Sequence, residues 1–206
     1  MKVYTKKDFK DAGSPSDLVI PEGYTEIDCF AFNACSSITS VAIPDSVIKI
    51  GQSAFQDCTS LKTIEMHDSV QTIDWLAFAG CASLPSFKFP TSLDKIKDRV
   101  FLGCKSLTAI VIPESVAEIE DGAFRDCVAL ESVTLTNPNI KIGSKAFSNC
   151  TAIKEVILPK GLTWAKVKNK FKDTPWGQNN PKPQNAEKAE KTAAKNEKLV
   201  ALNQEA

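Results

Sequence analysis

The sequence predicts an α/β repeat fold, a solenoid of stacked coils that share a parallel β-sheet, from three observations. Six of the seven cysteines in the 206 residues are spaced by 23 residues. A phenylalanine precedes each of these cysteines by three residues, and apolar residues recur at fixed offsets around it. A fixed period of 20 to 50 residues is typical of solenoids and arrays. The six regularly spaced cysteines are Cys35, Cys58, Cys81, Cys104, Cys127 and Cys150.

The strand of each coil follows its cysteine. Leu61, Ile64 and Met66 form the pattern L-x-x-L-x-L, which is the strand segment of a leucine-rich repeat. Residues two apart in a strand point to the same face, so Ile64 and Met66 both face the core. A proline ends most of these strands, but His67 and Thr136 take its place in two coils. The register predicts seven parallel strands, near residues 18, 41, 64, 87, 110, 133 and 156.

The rest of each coil is predicted from its apolar spacing. Val47 and Ile50 lie in a second extended piece, and a short helical turn directs Ala54, Phe55 and Cys58 inward. The expected fold is a right-handed leucine-rich repeat solenoid of 23-residue coils, with a parallel β-sheet on one face and short helical turns opposite. One coil cannot bury its apolar side chains alone, so neighbouring coils must stack.

The repeat motif resembles a known family. The segment Ile43–Cys58 is similar to the consensus of BspA-like leucine-rich repeat proteins, and Ile112–Cys127 repeats it closely. The resemblance covers about residues 18–177. It implies a scaffold that binds proteins, often at microbial surfaces, including adhesion to host matrix or to other cells.

Four regions are expected along the chain. Residues 1–17 form an N-terminal cap segment, and residues 18–158 hold about six full repeats. Residues 159–177 form a C-terminal cap, where Trp164, Val167 and Phe171 have helical spacing. Residues 178–206 are rich in Ala, Lys and Glu and are predicted to be a flexible tail, or else a linker to another module.

The charge is balanced overall but unevenly distributed. The chain has 25 basic and 25 acidic residues, which argues against a nucleic-acid binder. Residues 12–158 contain 11 Lys and Arg against 18 Asp and Glu, whereas residues 159–177 contain five Lys and one Asp. These charges either form ordinary solvated surface, or their asymmetry steers head-to-tail contacts between copies or contacts with a charged partner. The expected oligomeric state is a monomer.

The chain has no transmembrane-length apolar run and no apolar signal segment after Met1. As given it would be cytoplasmic, and it would be secreted or on the cell surface if an export signal has been removed. The single histidine, His67, is too little for most acid–base or zinc chemistry, so we expect no enzyme activity, no cofactor and no metal site. The six repeat cysteines are expected to be buried and reduced.

Cys29 is the seventh cysteine, and its repeat counterparts are mostly polar, so it should be an accessible thiol. The concave sheet is one candidate surface for a protein partner, and the patch formed by Trp75 and Leu76 is another. The main hypothesis is a non-enzymatic protein-binding scaffold, and the alternative is a microbial adhesin module. The candidate partner-binding residues of the concave sheet are Ser40, Thr63, Glu65, Ser86, Lys88, Ser132 and Thr134.

Overall fold

The computed structural model describes residues 1–179, in which the chain winds through about seven turns of about 23 residues. The predicted parallel solenoid is therefore confirmed. The strands are β1 (Val3–Tyr4), β2 (Asp17–Val19), β3 (Glu26–Ile27), β4 (Ser40–Ala42), β5 (Lys49–Ile50), β6 (Thr63–Glu65), β7 (Thr72–Ile73), β8 (Lys95–Ile96), β9 (Ala109–Ile112), β10 (Glu118–Ile119), β11 (Ser132–Leu135), β12 (Lys141–Ile142) and β13 (Glu155–Ile157).

The strands form parallel ladders on two faces of the solenoid. On the face that the sequence predicts to be concave, which keeps the name concave face, β2 pairs with β4 and β4 with β6, and then β9 pairs with β11 and β11 with β13. On the second face, the orders are β1-β3-β5-β7 and β8-β10-β12. Each pairing joins residues 23 apart, as Ile27 with Ile50 and Val41 with Ile64. The second ladder uses the extended piece that the sequence predicted without assigning it to a sheet.

Both ladders are interrupted between the third and fourth coils, and we call this junction the seam. The prediction of a strand near residue 87 is wrong, because only an isolated bridge from Ser86 to Ala109 forms there. Pro85 has no amide hydrogen, whereas Lys62 at the same register donates to the Thr39 carbonyl at 2.8 Å. Phe87 is also bulkier than the aliphatic residues that other coils carry at its position.

The third side of each coil is a series of hydrogen-bonded turns rather than a helix. Two positions lie in the left-handed region of backbone conformation in five of the six coils, and only the second does in the sixth. The second of them is occupied by Ala34, Asp57, Gly80, Gly103, Asp126 and Asn149, with φ between 58° and 74°. Glycine, asparagine and aspartate tolerate this conformation best, which explains the residue types at five of the six coils.

The core consists of columns that run along the solenoid axis. The phenylalanine rings stack from Phe32 to Phe147, with centroids 4.8 to 5.7 Å apart. The widest step, 5.7 Å between Phe78 and Phe101, lies at the seam. Beside them, each buried thiol donates a hydrogen bond to a phenylalanine carbonyl of the preceding coil, as Cys58 Sγ does to Phe32 O at 3.2 Å.

This bond explains why the column carries cysteine rather than an aliphatic residue of similar size. Burial raises the pKa of Cys58 and Cys104 to about 12, so these thiols stay protonated. Cys35 departs from the expectation, because it begins the column and is half-exposed. All seven cysteines are free thiols.

A cap closes each end of the core. At the start, helix α1 (Lys6–Asp11) is held by a capping box between Thr5 and Asp8, and Phe9 contacts the edge of Phe32 at 5.1 Å. At the other end, α2 (Trp164–Val167), a 3₁₀ turn (Lys168–Lys170) and α3 (Pro175–Gln178) follow the last coil.

The single capping helix that the spacing predicts is broken after Val167 by the 3₁₀ turn. Phe171 nevertheless lies inside the core, because its ring stacks on Phe147 with centroids 4.5 Å apart. Trp164 is only half-buried. The tail that the sequence predicts lies, after Asn179, outside the described residues.

Candidate functional site

Phe30 and Trp75 are two of the exposed large hydrophobic residues of the described chain, and together with Leu76 we call them the aromatic patch. Phe30 is 47% exposed and Trp75 is 45% exposed, while Leu76 is half-buried. They lie on the turns of the first and third coils, at register positions where other coils carry Gln52, Arg99 and similar polar residues. Exposed aromatic side chains at such positions often mark contact sites.

The backbone of the turns fixes the aromatic patch. The Phe30 amide donates to Gln52 O at 2.9 Å, and the Ser53 amide donates to Trp75 O at 3.1 Å, so three consecutive turns are tied together. Phe30, Ser53 and Leu76 share one register position and all have positive φ, between 52° and 59°. The backbone that carries each of these side chains is therefore hydrogen-bonded to the turn of a neighbouring coil.

Ser53 lies between the two larger residues at this register position. It is 1% exposed, and its hydroxyl has no hydrogen-bond partner among the described residues. Its small side chain separates Phe30 from Leu76 along the axis. The register position between Phe30 and Leu76 therefore carries no exposed side chain.

The part of the chain that carries the aromatic patch is rich in acidic residues. Residues 12–80 contain two lysines against nine Asp and Glu, whereas residues 81–158 contain nine basic and nine acidic residues. Asp28 and Asp74 directly precede the exposed turn residues and accept hydrogen bonds from the amides of Cys29 and Trp75. Asp74 pairs with Lys97 at 3.1 Å, but Asp28 has no ion pair within residues 1–179. The Asp28 carboxylate therefore adjoins the turn that carries Phe30 without a neutralising cation in the described residues.

The concave face presents fewer side chains than the sequence predicted. Glu65 and Lys88 are exposed, and Ser40, Thr63 and Ser132 are half-buried. The Ser40 hydroxyl is already committed, because it donates to Asp17 Oδ1 at 2.6 Å, and this hydrogen bond lowers the pKa of Asp17.

Ser86 and Thr134 were expected to face a partner, and this expectation is wrong because both are buried. Strands about 4.8 Å apart leave short side chains little access beside longer neighbours. The sequence reasoning also missed Val19, which is 68% exposed on this face. Its repeat register with Ala42 and Glu65 was the signal that could have found it.

Catalytic or metal-binding groups are not brought together in residues 1–179. His67 Nδ1 lies 2.9 Å from Asp45 Oδ1, and both side chains are exposed on the surface rather than in a cleft. No cluster of three or more His, Cys, Asp or Glu side chains in this part of the chain could hold a metal ion. Cys29 is exposed, as predicted. Within the described range, no helix is long and apolar enough to cross a membrane.

Comparisons with known proteins agree with this architecture. The model of the BspA type leucine-rich repeat region matches residues 4–130 and 76–199 in six copies. The crystal structure of the Treponema pallidum leucine-rich repeat protein TpLRR is 33% identical, with a TM-score of 0.65 over 80% of this chain and 87% of that one. No curated protein matches significantly.

Two longer structures are also similar. A leucine-rich repeat protein from Eubacterium ventriosum is 25% identical with a TM-score of 0.66, over 72% of this chain and 40% of that chain. A leucine-rich cell surface protein from Faecalibacterium prausnitzii is 33% identical with a TM-score of 0.48, over 71% of this chain and 34% of that chain. The family model spans nearly the whole described solenoid, so the chain belongs to the BspA type leucine-rich repeat family.

Proposed function

We propose that the chain is a non-enzymatic protein-binding scaffold whose partner contacts the aromatic patch. The observation that carries this proposal is the exposure of Phe30 and Trp75 at register positions that are polar in most other coils. Aromatic side chains are enriched among the residues that dominate binding energy in protein interfaces. A rigid repeat backbone presents them at little entropic cost.

The size of the effect follows from the exposed area. An aromatic side chain buries about 150–250 Å² when it is fully covered. Trp75 is 45% exposed, so ~100 Å² remains for a partner to cover, which at ~25 cal/mol per Å² is worth about 2–3 kcal/mol. Loss of this contact would weaken binding by roughly 50-fold, since each 1.4 kcal/mol corresponds to about tenfold in affinity.

The charge beside the rings specifies the kind of partner. Because residues 12–80 carry a large acidic excess, a complementary partner carries lysine or arginine around an apolar or aromatic side chain. Asp28 is the carboxylate best placed to receive such a cation, since it is exposed and adjoins the turn that carries Phe30. The cation would also be attracted to the aromatic faces.

The concave face is a weaker candidate for the main contact. Its remaining accessible residues, among them Thr63, Glu65 and Lys88, include no aromatic anchor. In this proposal the concave residues widen the interface and exclude water around the contact at the aromatic patch.

A peptide selection tests the proposal. Random peptides selected on the full chain should be enriched in Lys or Arg next to an aliphatic or aromatic residue. Their affinity should fall roughly 50-fold for Trp75→Ser and should fall with rising salt. Val128→Ser is the matched control, because Val128 is a similarly exposed apolar residue, at 43%, on another coil. Peptides that bind Trp75→Ser and the unaltered chain equally would refute the proposal.

The adhesin alternative concerns location and partner rather than the surface used. It predicts that antibodies against the chain label intact cells of the source organism, and that Trp75→Ser reduces attachment of those cells to host matrix. Unlabelled intact cells, with the chain detected only after lysis, would remove this alternative and leave the scaffold proposal standing.

A further inference from the structure

A cleft lies between the penultimate turn of the solenoid and the C-terminal cap, far along the chain from the aromatic patch. Its volume is about 240 Å³. One wall is the segment Pro138–Ile142, and the other is formed by the cap from Leu162 to Lys170. The residues that line it are Pro138, Asn139, Ile140, Ile142, Leu162, Lys166, Val167 and Lys170.

The cleft exists because one residue of a core column is missing. This column has one residue in each coil, at 23-residue spacing. Four buried aliphatic residues are followed by Asn139 and then by Leu162. Asn139 is exposed, and the apolar residue is displaced by one position to Ile140, which is buried. The four preceding members of the column are Val47, Val70, Leu93 and Val116.

The turn that displaces the column is fixed by its own hydrogen bonds. Asn137 Oδ1 accepts from the Asn139 amide at 2.8 Å, and Asn137 Nδ2 donates to Glu114 O and Val116 O, each at 3.0 Å. The side chain of Asn137 therefore anchors the turn to the preceding coil. The space is a built feature of this coil, and relaxation of Asn139 toward the core would break these bonds.

Apolar and basic residues both line the cleft. Ile140, Leu162 and Val167 supply buried apolar surface. Lys166 lies in α2 and Lys170 ends the 3₁₀ turn, and no acidic residue lines the cleft. Within residues 1–179 neither lysine forms an ion pair. By contrast, Lys95 in the solenoid pairs with Glu118 of the next coil at 2.9 Å.

We propose that this cleft binds a small carboxylate that carries a short apolar chain. The hydrocarbon contacts Ile140, Leu162 and Val167, and the carboxylate is held by the ammonium groups of Lys166 and Lys170. The volume has room for about eight waters at ~30 Å³ each, which matches a ligand of about ten non-hydrogen atoms. Small-molecule sites need only a few polar groups to orient a ligand, and the two lysines supply them here.

The test uses octanoate and the full chain. Titration followed by nuclear magnetic resonance should shift the amides of residues 139–142 and 162–170, with saturation in the millimolar range or below. Octylamine and octanol, which have the same chain without the negative charge, should bind at least tenfold more weakly. A carboxylate with an apolar chain can come from a peptide carboxyl terminus or from a fatty acid, and N-acetyl-leucine distinguishes them. If N-acetyl-leucine binds more tightly than octanoate, the ligand is a peptide carboxyl terminus; if it binds more weakly, the ligand is a fatty acid.

Three variants locate the site. Asn139→Val restores the column and should abolish octanoate binding, while a raised melting temperature shows that the fold is intact. Lys166→Gln combined with Lys170→Gln should weaken binding at least tenfold, and Lys172→Gln is the control because Lys172 is an exposed cap lysine that does not line the cleft.

Some results would overturn the proposal. These are no saturable shift with octanoate or N-acetyl-leucine, equal binding of octanol, or unchanged octanoate binding in both Asn139→Val and the double lysine variant. None of these outcomes depends on the aromatic patch, so the proposed function would be unaffected.

Discussion

The second left-handed position of each coil offers a direct measurement of backbone strain in the solenoid. Ala34 occupies it in the first coil with φ of 58°, and Gly103 occupies it in the fourth with φ of 71°. A Cβ added at Gly103 would meet no heavy atom within 4 Å, so Gly103→Ala changes the backbone conformational preference and little else. Ala34→Gly is the reverse change at the same register.

The expected magnitude follows from two opposing contributions. A residue with a Cβ costs roughly 1–2 kcal/mol in the left-handed region. Replacing glycine with alanine also stabilises the folded state by about 0.4–1 kcal/mol, because the unfolded chain with glycine has more conformations to lose. Gly103→Ala should therefore destabilise the protein by about 1 kcal/mol, and Ala34→Gly should stabilise it by a similar amount. For a chain of this length, each change corresponds to a shift of about 2–4 °C in melting temperature.

Urea unfolding followed by circular dichroism measures both changes. Gly80→Ala is an informative third variant, because its added Cβ would collide with the Asp57 side chain and should cost more than Gly103→Ala. The strain argument is refuted if Gly103→Ala leaves the urea midpoint unchanged or if Ala34→Gly lowers it.

Four further predictions follow from the core, the thiols and the seam. Iodoacetamide at pH 8 should modify Cys29 before Cys104 in the native protein, as peptide mapping by mass spectrometry would show; earlier labelling of Cys104 would contradict its burial. Burial raises the pKa of Cys104 to about 12, whereas an unfolded thiol titrates near 9, so the stabilisation by the buried thiol is complete below pH 9. The free energy of unfolding should fall as pH rises from 9 to 12. A free energy of unfolding that stays constant over this pH range would count against this. Phe171→Ala should destabilise the chain by about 3–5 kcal/mol, because it removes the ring that ends the phenylalanine column; a melting temperature within 2 °C of the unaltered protein would exclude this role. The Lys97 amide lies at the seam and has no backbone acceptor in the described structure, whereas the Asp74 amide donates to Ile50 O of the preceding coil at 2.9 Å. Native-state hydrogen exchange should therefore be faster at Lys97 than at Asp74. Equal protection of the two amides would show that the seam is closed.

The repeat itself was predictable because every coil has the same length. The cysteine and phenylalanine spacing fixes which residues stack, and the side chains of Phe55 and Cys58 lie where that spacing places them. The second ladder was not predictable as a sheet, because strands of two residues such as Lys49–Ile50 are too short to show alternation. Their pairing becomes evident only when the coils are superimposed.

The candidate sites were predictable only in part. Trp75 stood out because its repeat counterparts are mostly polar, and its exposure agrees with that reasoning. Thr134 looked equally accessible in sequence, but its burial depends on the lengths of side chains on adjacent strands. The displacement of Ile140 was visible in the sequence, but whether it leaves a cleft depends on how the cap places Leu162 and Val167 beside it.

The seam has a consequence for communication along the rod. In a repeat protein each coil interacts only with its neighbours, so a signal can travel only through consecutive coil interfaces. At the seam the ladder hydrogen bonds are lost on two faces, and contacts such as the stacking of Phe78 on Phe101 remain. The aromatic patch lies before this junction and the cleft lies after it. We therefore expect occupancy of one proposed site to change the affinity at the other only slightly.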